Sequence, residues 1–488
     1  MFSSPPVLWA IGLIAFALAI RASFIGLAAS SPDTADYLAR MEILLDGEGF
    51  QDAFRTPALI VLLAGIDLIG ADQVVTLVVI QNLIGVLMPG LVLLVGWRLF
   101  NPATGVIAGF LTAASPILLL SEQFALTDYL FGVTLFIGAA LLAEGAVRAD
   151  LERPATRLLV AAGALFGLAT LFRGNGQLAF IAVPIALLLA LRNWRPALRA
   201  AAVTLGAMIV VLAPWIVHNI VSFGTPQVTT LGGYSLYLRV VDHDRIPPPE
   251  DSADGRLARS IYDKTYAFAP PEQQGNSGFI LAGALEERGK SQAEATSAMT
   301  GLALEAIREH PSTYASNSWD ILRDYRRFFD PGHDLAPGLD RGEYVRSSLT
   351  SEADEATLSG RAAVPGDSRL TRAAWRLAEP VERLVYLFSL GGLAAFALIF
   401  VGSAKSRIGA SVFITFASVG MAVGALSLFF EPRYGLPFAS MTWLLMAAVT
   451  VGVLRVGARA VETGGRALLS SDLGRQIRFP DGYEDQGR

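Results

Sequence analysis

The chain has 488 residues, of which 53% are hydrophobic and 17% are charged. A soluble protein carries about 25% charged residues, so this composition excludes an ordinary soluble enzyme and indicates a membrane protein with several spans. The absence of cysteine excludes disulfides, thiolate metal sites and cysteine nucleophiles. The net charge is −5 and the basic residues are scattered or in short clusters, so the sequence predicts no nucleic-acid-binding surface.

The apolar segments predict an all-α polytopic membrane protein. A hydrocarbon core about 30 Å thick takes around 20 apolar residues per helix, which gives about ten transmembrane helices here. The predicted spans are 7–28, 74–97, 103–120, 129–146, 158–172, 176–191, 200–221, 385–402, 408–430 and 435–454. The leader before the first span has no Lys or Arg, and the span itself carries Arg21, which favours a retained helix over a cleaved signal peptide.

The apolar segment 57–70 decides the topology. It is short and contains Asp67, so it is predicted to be an interfacial helix in the first external loop rather than a crossing. With that choice, every basic cluster in a short loop falls on one side of the membrane, which the positive-inside rule makes cytoplasmic. The sequence therefore predicts a multi-pass protein of the inner (plasma) membrane with both termini in the cytoplasm.

The predicted organisation has four parts. Residues 1–222 form an N-terminal transmembrane catalytic module, with 29–73 as the first external loop, and residues 223–384 form an external (periplasmic) insertion. Residues 385–456 form the C-terminal transmembrane helices, and 457–488 form a cytoplasmic tail. The insertion is predicted to be mostly helical, with one amphipathic helix from Ala293 to Glu309 that ends at His310-Pro311.

Two aspartates directly follow the first span. Asp33 and Asp36 can be solvated loop charges, with Asp33 as a helix N-cap, or they can include a general base at the membrane surface. Arg55, in Arg55-Thr56-Pro57, can extend toward lipid headgroups or toward a site, and Pro57 suits the first turn of the following short helix. The residues alone leave both alternatives open.

Four further external turns carry acidic, basic or imidazole groups. Asp128 stands near a helix start, where the helix dipole alone favours a carboxylate. Arg173 lies in a short turn away from the positive side, where an arginine favours an anion such as a phosphate. His218 ends a span and is either structural or part of the site. Glu431 and Arg433, in Glu431-Pro432-Arg433-Tyr434, pair with each other or repeat this pattern of charges at a late turn.

Taken together, these turns place acids and arginines on one face of the membrane. The opposite face carries the ordinary basic residues of cytoplasmic loops. A site built from several helix ends at the membrane surface matches this arrangement.

In this order the motifs resemble a known family. They are D-x-x-x-Y at Asp33 to Tyr37, R-[TK]-P at Arg55, T-[ED] at Thr127-Asp128, a lone arginine turn at Arg173, P-W-x-x-[RH]-N ending at Asn219, and E-x-R-Y at Glu431 to Tyr434. The chain resembles GT-C glycosyltransferases of the group that contains protein O-mannosyltransferases and the lipid A aminoarabinose transferase. The resemblance covers about residues 30–235 and 380–455.

The resemblance implies transfer of a sugar from a polyprenyl-phosphate carrier to a lipid, glycan or protein acceptor outside the cytoplasm. By motif position, Asp33 would be the catalytic acid-base residue and Tyr37 its neighbour, with Arg55 near the donor. Asp128 stands where the family usually has Glu, and Glu431, Arg433 and Tyr434 match the late motif. His218 replaces the usual Arg before Asn219, and Thr34 replaces an acid, so a second acid would come from Asp36 or Asp128.

The chemistry agrees with this assignment. A polyprenyl phosphate leaves without a proton but needs cations, for which Arg173 and Arg433 are candidates. Inverting transfer also needs a base for the acceptor hydroxyl, for which Asp33 is the choice. The sequence predicts no particular cofactor. Asp33, Asp36 and Asp128 offer oxygen ligands that suit a divalent cation, and the residues leave open whether one binds.

Two other classes are weighed against this interpretation. A transporter would carry charges near the membrane midplane and an internal repeat, whereas the acids here lie at external helix ends. An O-antigen ligase or polymerase would use Arg and His residues in a large late loop. Residues 223–383 do contain three histidines, His243, His310 and His333, so this class is the main alternative.

Overall fold

The structure is a computed structural model that describes residues 6–22, 28, 32–267, 277–324, 395–400, 402–427 and 436–470. Within these ranges the regular elements are helices and no β-strand is present, which confirms the all-α class. The helices, numbered in chain order, are α1 (Pro6–Ala22), α2 (Pro32–Leu45), α3 (Pro57–Leu68), α4 (Gln73–Leu99), α5 (Pro102–Ala113), α6 (Pro116–Ser121), α7 (Thr127–Asp150), α8 (Thr156–Phe172), α9 (Ala179–Ala190), α10 (Trp194–Phe223), α11 (Leu231–Tyr237), α12 (Ala253–Tyr266), α13 (Ser277–Glu287), α14 (Gln292–Glu309), α15 (Pro311–Asp324), α16 (Ala404–Ser427) and α17 (Ala439–Ser470).

Five of the described helices are long and apolar enough to cross a membrane by length and composition: α4, α7, α10, α16 and α17. Shorter apolar helices lie at four further predicted spans, namely α1, α5, α8 and the segment Gly174–Ala190. The predicted span 385–402 falls mostly outside the described residues, which include a helical stretch at 395–400. The molecule is thus a polytopic helical membrane protein.

One predicted span is two helices rather than one. The segment 103–120 is interrupted after α5 ends at Ala113, and α6 begins at Pro116. Proline lacks the amide that would continue the helix and disfavours helical geometry in the residue before it, which here is Ser115. The break redirects the chain toward the turn that precedes α7.

The short apolar segment 57–70 forms helix α3 (Pro57–Leu68), and its predicted position at the membrane interface stays a prediction. The helix has 12 residues, which span about 18 Å and so fall short of a hydrocarbon core about 30 Å thick. Thr56 occupies its N-cap and Pro57 its first position, where the missing amide of proline has no helical partner to lose. Its buried face, Leu59, Ile60 and Leu63, packs in a cluster with Tyr37 of α2 and Leu77 of α4.

Three arginines of short loops lie together at one end of the helices. Arg98 is 3.0 Å from Glu144, and Arg148 is 3.4 Å from the same carboxylate. Arg407 lies 3.7 Å from Asp150 at the end of α7. These contacts group residues from three separate loops on one side, which is the predicted cytoplasmic side.

This grouping gives a test of topology. Because the chain has no cysteine, single cysteines can be introduced without background. In Asp251→Cys, an exposed site in the insertion, the thiol should react with a membrane-impermeant maleimide in intact cells. In Leu151→Cys, at the exposed turn after α7, the thiol should react with the maleimide only after the cells are permeabilised. Equal labelling of both variants in intact cells would contradict the topology.

A buried ion pair fixes the turn before α7. Arg21, in the last turn of α1, donates from Nε and Nη2 to both Glu122 carboxylate oxygens at 2.7 Å, and the two side chains are 2% and 0% exposed. Gly85 of α4 makes room for this carboxylate, since a Cβ there would overlap it. Gln81 donates to the backbone carbonyl of Phe124 at 2.8 Å. The pair and Gln81 together hold the turn that leads to Asp128.

The insertion is helical and has its own core. Helices α11 to α15 surround a buried cluster that includes Tyr237, Leu281, Met299 and Ala303. The predicted helix 293–309 is confirmed as α14, which starts with a capping box between Ser291 and Glu294. Where the chain leaves α10, Thr230 donates its amide to the carbonyl of Ala53 at 2.9 Å. This bond ties the start of the insertion to the first external loop.

Candidate active site

Residues from six separate segments line one cavity of about 340 Å³. It lies where α2, the loop before α3, the start of α7 and the end of α8 meet the first helices of the insertion. The charged residues that line it are Asp33, Arg55, Asp128 and Arg173, and Tyr37 lines it as well. Five candidates from distant parts of the sequence are therefore brought together.

Helix α2 presents Asp33, Asp36 and Tyr37 toward Arg55. Positions three and four apart lie on one helix face, so the D-x-x-x-Y spacing places Asp33 and Tyr37 side by side. Arg55 donates to Asp33 at 2.7 Å through Nη2 and to Asp36 at 2.7 Å through Nε. Its guanidinium carbon lies 5.0 Å from the centre of the Tyr37 ring. One arginine thus bridges the two aspartates from the cavity wall.

The loop that carries Arg55 is fixed on both sides. The hydroxyl of Thr56 donates to the carbonyl of Phe172 at 2.9 Å, which joins the loop to the end of α8. The hydroxyl of Thr229 donates to the carbonyl of Phe54, which joins it to the insertion. These two bonds hold the guanidinium of Arg55 in a defined position.

Asp36 belongs to a supporting network rather than to the cavity lining. Arg40 donates to it at 2.9 Å and also to Asp52 at 2.7 Å, while Arg55 holds its other oxygen. Two cations therefore share the Asp36 carboxylate. Asp36 therefore anchors Arg55, whereas Asp33 faces the cavity.

Asp128 and Arg173 form the second charged pair of the cavity. Asp128 is the second residue of α7, where the helix dipole favours a carboxylate, and its side chain is 6% exposed. It accepts a hydrogen bond from Arg173, which lies between α8 and the 3₁₀ turn Gly174–Leu178. That turn needs Gly176, since a Cβ there would meet the backbone of Thr170 at 2.6 Å.

The charges in the cavity are balanced. Two arginines and two aspartates line it, so their formal charges cancel. Burial raises the pKa of Tyr37, and Arg55 and Arg173 only partly oppose this shift, so Tyr37 is a neutral phenol. Burial alone would lower the pKa of Arg55, but the charges of the groups around it, which include both aspartates, raise it by more, so Arg55 stays charged.

His218 is not among the residues that line the cavity. Its ring stacks on Trp215 at 5.2 Å between centroids. Two other residues of the P-W-x-x-[RH]-N motif bind the turn that follows α10. Trp215 donates to the carbonyl of Val228 at 2.7 Å, and Asn219 donates to the carbonyl of Gln227 at 2.8 Å. The local geometry therefore gives the motif a structural role in starting the insertion.

The late motif lies elsewhere in the chain. Glu431, Arg433 and Tyr434 fall outside the described residues, so their predicted roles stay predictions. Of the histidines that favoured a ligase, His243 lies 3.3 Å from Asp244 and His310 caps the end of α14, and neither lines the cavity. His333 lies outside the described residues.

The three aspartates considered as metal ligands are held by arginines. Asp33 and Asp36 are bridged by Arg55, and Asp128 pairs with Arg173. Across the ranges that the structure describes, no three His, Asp or Glu side chains are grouped so as to hold a metal ion.

Sequence reasoning missed the aromatic residues of the cavity. Phe54, Tyr234 and Phe279 line it as well, and the guanidinium carbon of Arg55 lies 5.5 Å from the centre of the Phe54 ring. Phe54 adjoins Arg55 and was available as a signal, but Tyr234 and Phe279 belong to insertion helices that carry no recognisable motif. The buried Glu122 partner of Arg21 was also missed, although an arginine within an apolar span is itself a signal that a partner exists.

Residues 55–220 match the family model described as dolichyl-phosphate-mannose-protein mannosyltransferase. The match covers about a third of the chain and contains Arg55, Asp128 and Arg173. It supports the assignment of this part of the chain to the GT-C glycosyltransferase superfamily, as the order of motifs indicated. No curated protein matches the chain.

Among solved structures, the chain is similar to the archaeal oligosaccharyltransferase AglB from Archaeoglobus fulgidus in complex with an inhibitory peptide and a dolichol-phosphate. The two chains are 14% identical, the match covers 94% of this chain and 52% of that one, and the TM-score is 0.48. The apo form of the A. fulgidus enzyme gives 15% identity, 95% and 52% coverage and a TM-score of 0.49. ArnT from Cupriavidus metallidurans bound to undecaprenyl phosphate gives 16% identity, 93% and 80% coverage and a TM-score of 0.38. The chain spans about half the length of the oligosaccharyltransferases.

Proposed function

We propose that this protein is an inverting membrane glycosyltransferase. It moves a sugar from a polyprenyl-phosphate carrier to a hydroxyl of a lipid, glycan or protein acceptor on the non-cytoplasmic side. The observation that carries the proposal is the single cavity that gathers Asp33, Arg55, Asp128 and Arg173 at the ends of membrane helices. Family similarity over residues 55–220 supports the same class of reaction.

The reaction needs a base and an anion site on opposite sides of the sugar. The acceptor oxygen forms a bond to the anomeric carbon while the bond from that carbon to the phosphate oxygen breaks. The acceptor proton goes to Asp33, and the electron pair leaves with the polyprenyl phosphate. Since the phosphate leaves as a stable anion, it needs cations rather than a proton. Arg173 supplies a planar fork that matches phosphate geometry.

The balanced charges support a site that changes partners when the donor binds. Each arginine of the cavity holds an aspartate: Arg55 holds Asp33, and Arg173 holds Asp128. A donor phosphate adds a negative charge and competes for these guanidinium groups. Asp36 keeps a second contact to Arg55 at 2.7 Å, so Arg55 stays anchored when Asp33 turns to the acceptor proton. Donor binding thereby frees the base.

The place of the cavity suits a lipid-linked donor. Helices α7 and α8, which carry Asp128 and precede Arg173, are apolar except near their ends, and α7 is long enough to cross the bilayer. The polyprenyl chain lies against such helices in the membrane while its phosphate reaches the cavity at their ends. Both termini are then cytoplasmic, and the sugar is transferred outside the cytoplasm.

The test is single-turnover transfer by the purified full chain in detergent or nanodiscs. Undecaprenyl-phosphate hexoses with a labelled sugar serve as donors, and the cell-envelope fraction serves as the acceptor. We expect a labelled product with inverted anomeric configuration and one equivalent of undecaprenyl phosphate released. Mass spectrometry of lipids and envelope glycans with and without the gene identifies the acceptor. A product with retained configuration would contradict the role of Asp33.

A further inference from the structure

The cavity has a second wall, made of aromatic rings. Phe54 and Tyr234 meet edge to face, with ring centroids 5.6 Å apart. Tyr234 and Phe279 meet in the same way at 4.9 Å. Phe54 comes from the first external loop, whereas Tyr234 and Phe279 come from α11 and α13 of the insertion. We call these three residues the aromatic wall.

Phe279 is unusual within this wall because its ring is open to the cavity. It is 60% exposed, whereas Tyr234 behind it is 4% exposed. Covering such a ring with an apolar surface is favourable, since burial of apolar area contributes about 25 cal/mol per Å². The next residue, Ile280, is 52% exposed but does not line the cavity.

The backbone under Phe279 is held firmly. Asp242 accepts hydrogen bonds from the hydroxyl of Ser277 and from the amide of Gly278, the latter at 3.0 Å, so a carboxylate caps the start of α13. Tyr266 donates to the same carboxylate at 2.5 Å. Gly278 lets α13 approach the segment Leu238–His243, which follows α11, since a Cβ there would meet Leu238 at 2.6 Å. The start of α13, which carries Phe279, is therefore held in place beside the cavity.

A cavity lined both by charged side chains and by aromatic rings matches the chemistry of a sugar ring. Sugars present hydroxyls at their rim and a patch of C–H groups on a face of the ring. Sites for small ligands commonly combine aromatic surfaces with a few placed polar groups. An aromatic ring offers a flat apolar surface that loses little conformational entropy on binding. We propose that Phe279, backed by Tyr234, binds the apolar face of a sugar ring and that the insertion thereby selects the sugar.

The inference rests on the proposed function in one respect: the bound sugar ring belongs either to the donor or to the acceptor of that reaction. The test compares Phe279→Ala and Phe279→Trp with Ile280→Ala as the matched control on the same helix. Methyl hexopyranosides are the probes, observed by saturation-transfer-difference NMR on the purified full chain. We expect about a tenfold loss of affinity in Phe279→Ala, retention in Phe279→Trp and no change in Ile280→Ala.

Lipid probes then distinguish the two sources. If the ring belongs to the donor, Phe279→Ala weakens binding of an undecaprenyl-phosphate hexose but not of undecaprenyl phosphate without sugar. If it belongs to the acceptor, both lipids bind as in wild type and only the methyl glycoside signal falls. Wild-type glycoside binding by Phe279→Ala, or an equal loss for the sugar-free lipid, would overturn the inference. Failure of undecaprenyl phosphate to bind the wild-type protein would instead count against the proposed function.

Discussion

Replacing Asp33 with asparagine should slow single-turnover transfer by about 10²–10⁴-fold, the usual contribution of a positioned general base. The substitution keeps the shape of the side chain and removes its ability to take a proton. Arg55 keeps Asp36 as a partner at 2.7 Å, so the cavity wall should keep its geometry. Donor binding, measured with undecaprenyl-phosphate hexose, should therefore stay within a few-fold of wild type.

The matched control for this variant is Asp36→Asn. Asp36 lies one helical turn from Asp33 and contacts the same arginine, but it does not line the cavity. The Asp36→Asn variant should slow transfer much less than Asp33→Asn does, because it only loosens the placement of Arg55. Transfer at the wild-type rate by Asp33→Asn, or an equal loss in both variants, would show that Asp33 is not the base.

Replacing Arg173 with alanine should weaken use of the donor by about 10–100-fold, since hydrogen bonds to charged groups contribute about 1.5–3 kcal/mol. Arg173→Lys should recover only part of this loss, because lysine keeps the charge but not the planar fork. The measurement is the affinity for undecaprenyl phosphate together with the single-turnover rate. The conservative variant separates loss of charge from loss of geometry.

The alanine variant also leaves Asp128 without its partner. The Asp128 side chain is 6% exposed, and breaking a buried ion pair costs about 3–5 kcal/mol. The double variant Arg173→Met with Asp128→Asn removes both charges and restores folding without restoring phosphate binding. Arg98→Ala, at the other end of the helices and 3.0 Å from Glu144, is the remote control. Wild-type donor affinity in the double variant would exclude Arg173 from the phosphate site.

The sequence was sufficient for features that depend on local pattern. The helix 293–309 was predictable because its capping box and the following proline are local signals. The association of Asp33, Arg55, Asp128 and Arg173 was predictable because topology places loops of one side together. The break between α5 and α6 was within reach, since Pro116 marks it, but apolar character alone suggested one continuous span.

Features that depend on tertiary packing were out of reach. His218 was assigned to the site from its position in a motif, yet its ring stacks on Trp215 away from the cavity. Whether a side chain at a helix end points to a site or to a neighbour depends on helix rotation, which spacing does not determine. Phe279 reaches the cavity because α13 packs on the segment Leu238–His243 and the Phe279 ring meets Tyr234 of α11, and these segments share no sequence pattern.

The ion pair between Arg21 and Glu122 has a consequence for biosynthesis. The two residues are 101 positions apart, so α1 is made and delivered to the bilayer long before the carboxylate exists. An arginine without a partner in hydrocarbon is disfavoured by about 2.5–3.5 kcal/mol on insertion scales. Until α6 has been synthesised, Arg21 must therefore keep contact with water or headgroups, which holds α1 away from its final depth. Helix α1 is consequently made before the segment that carries Glu122 and docks only after that segment is available.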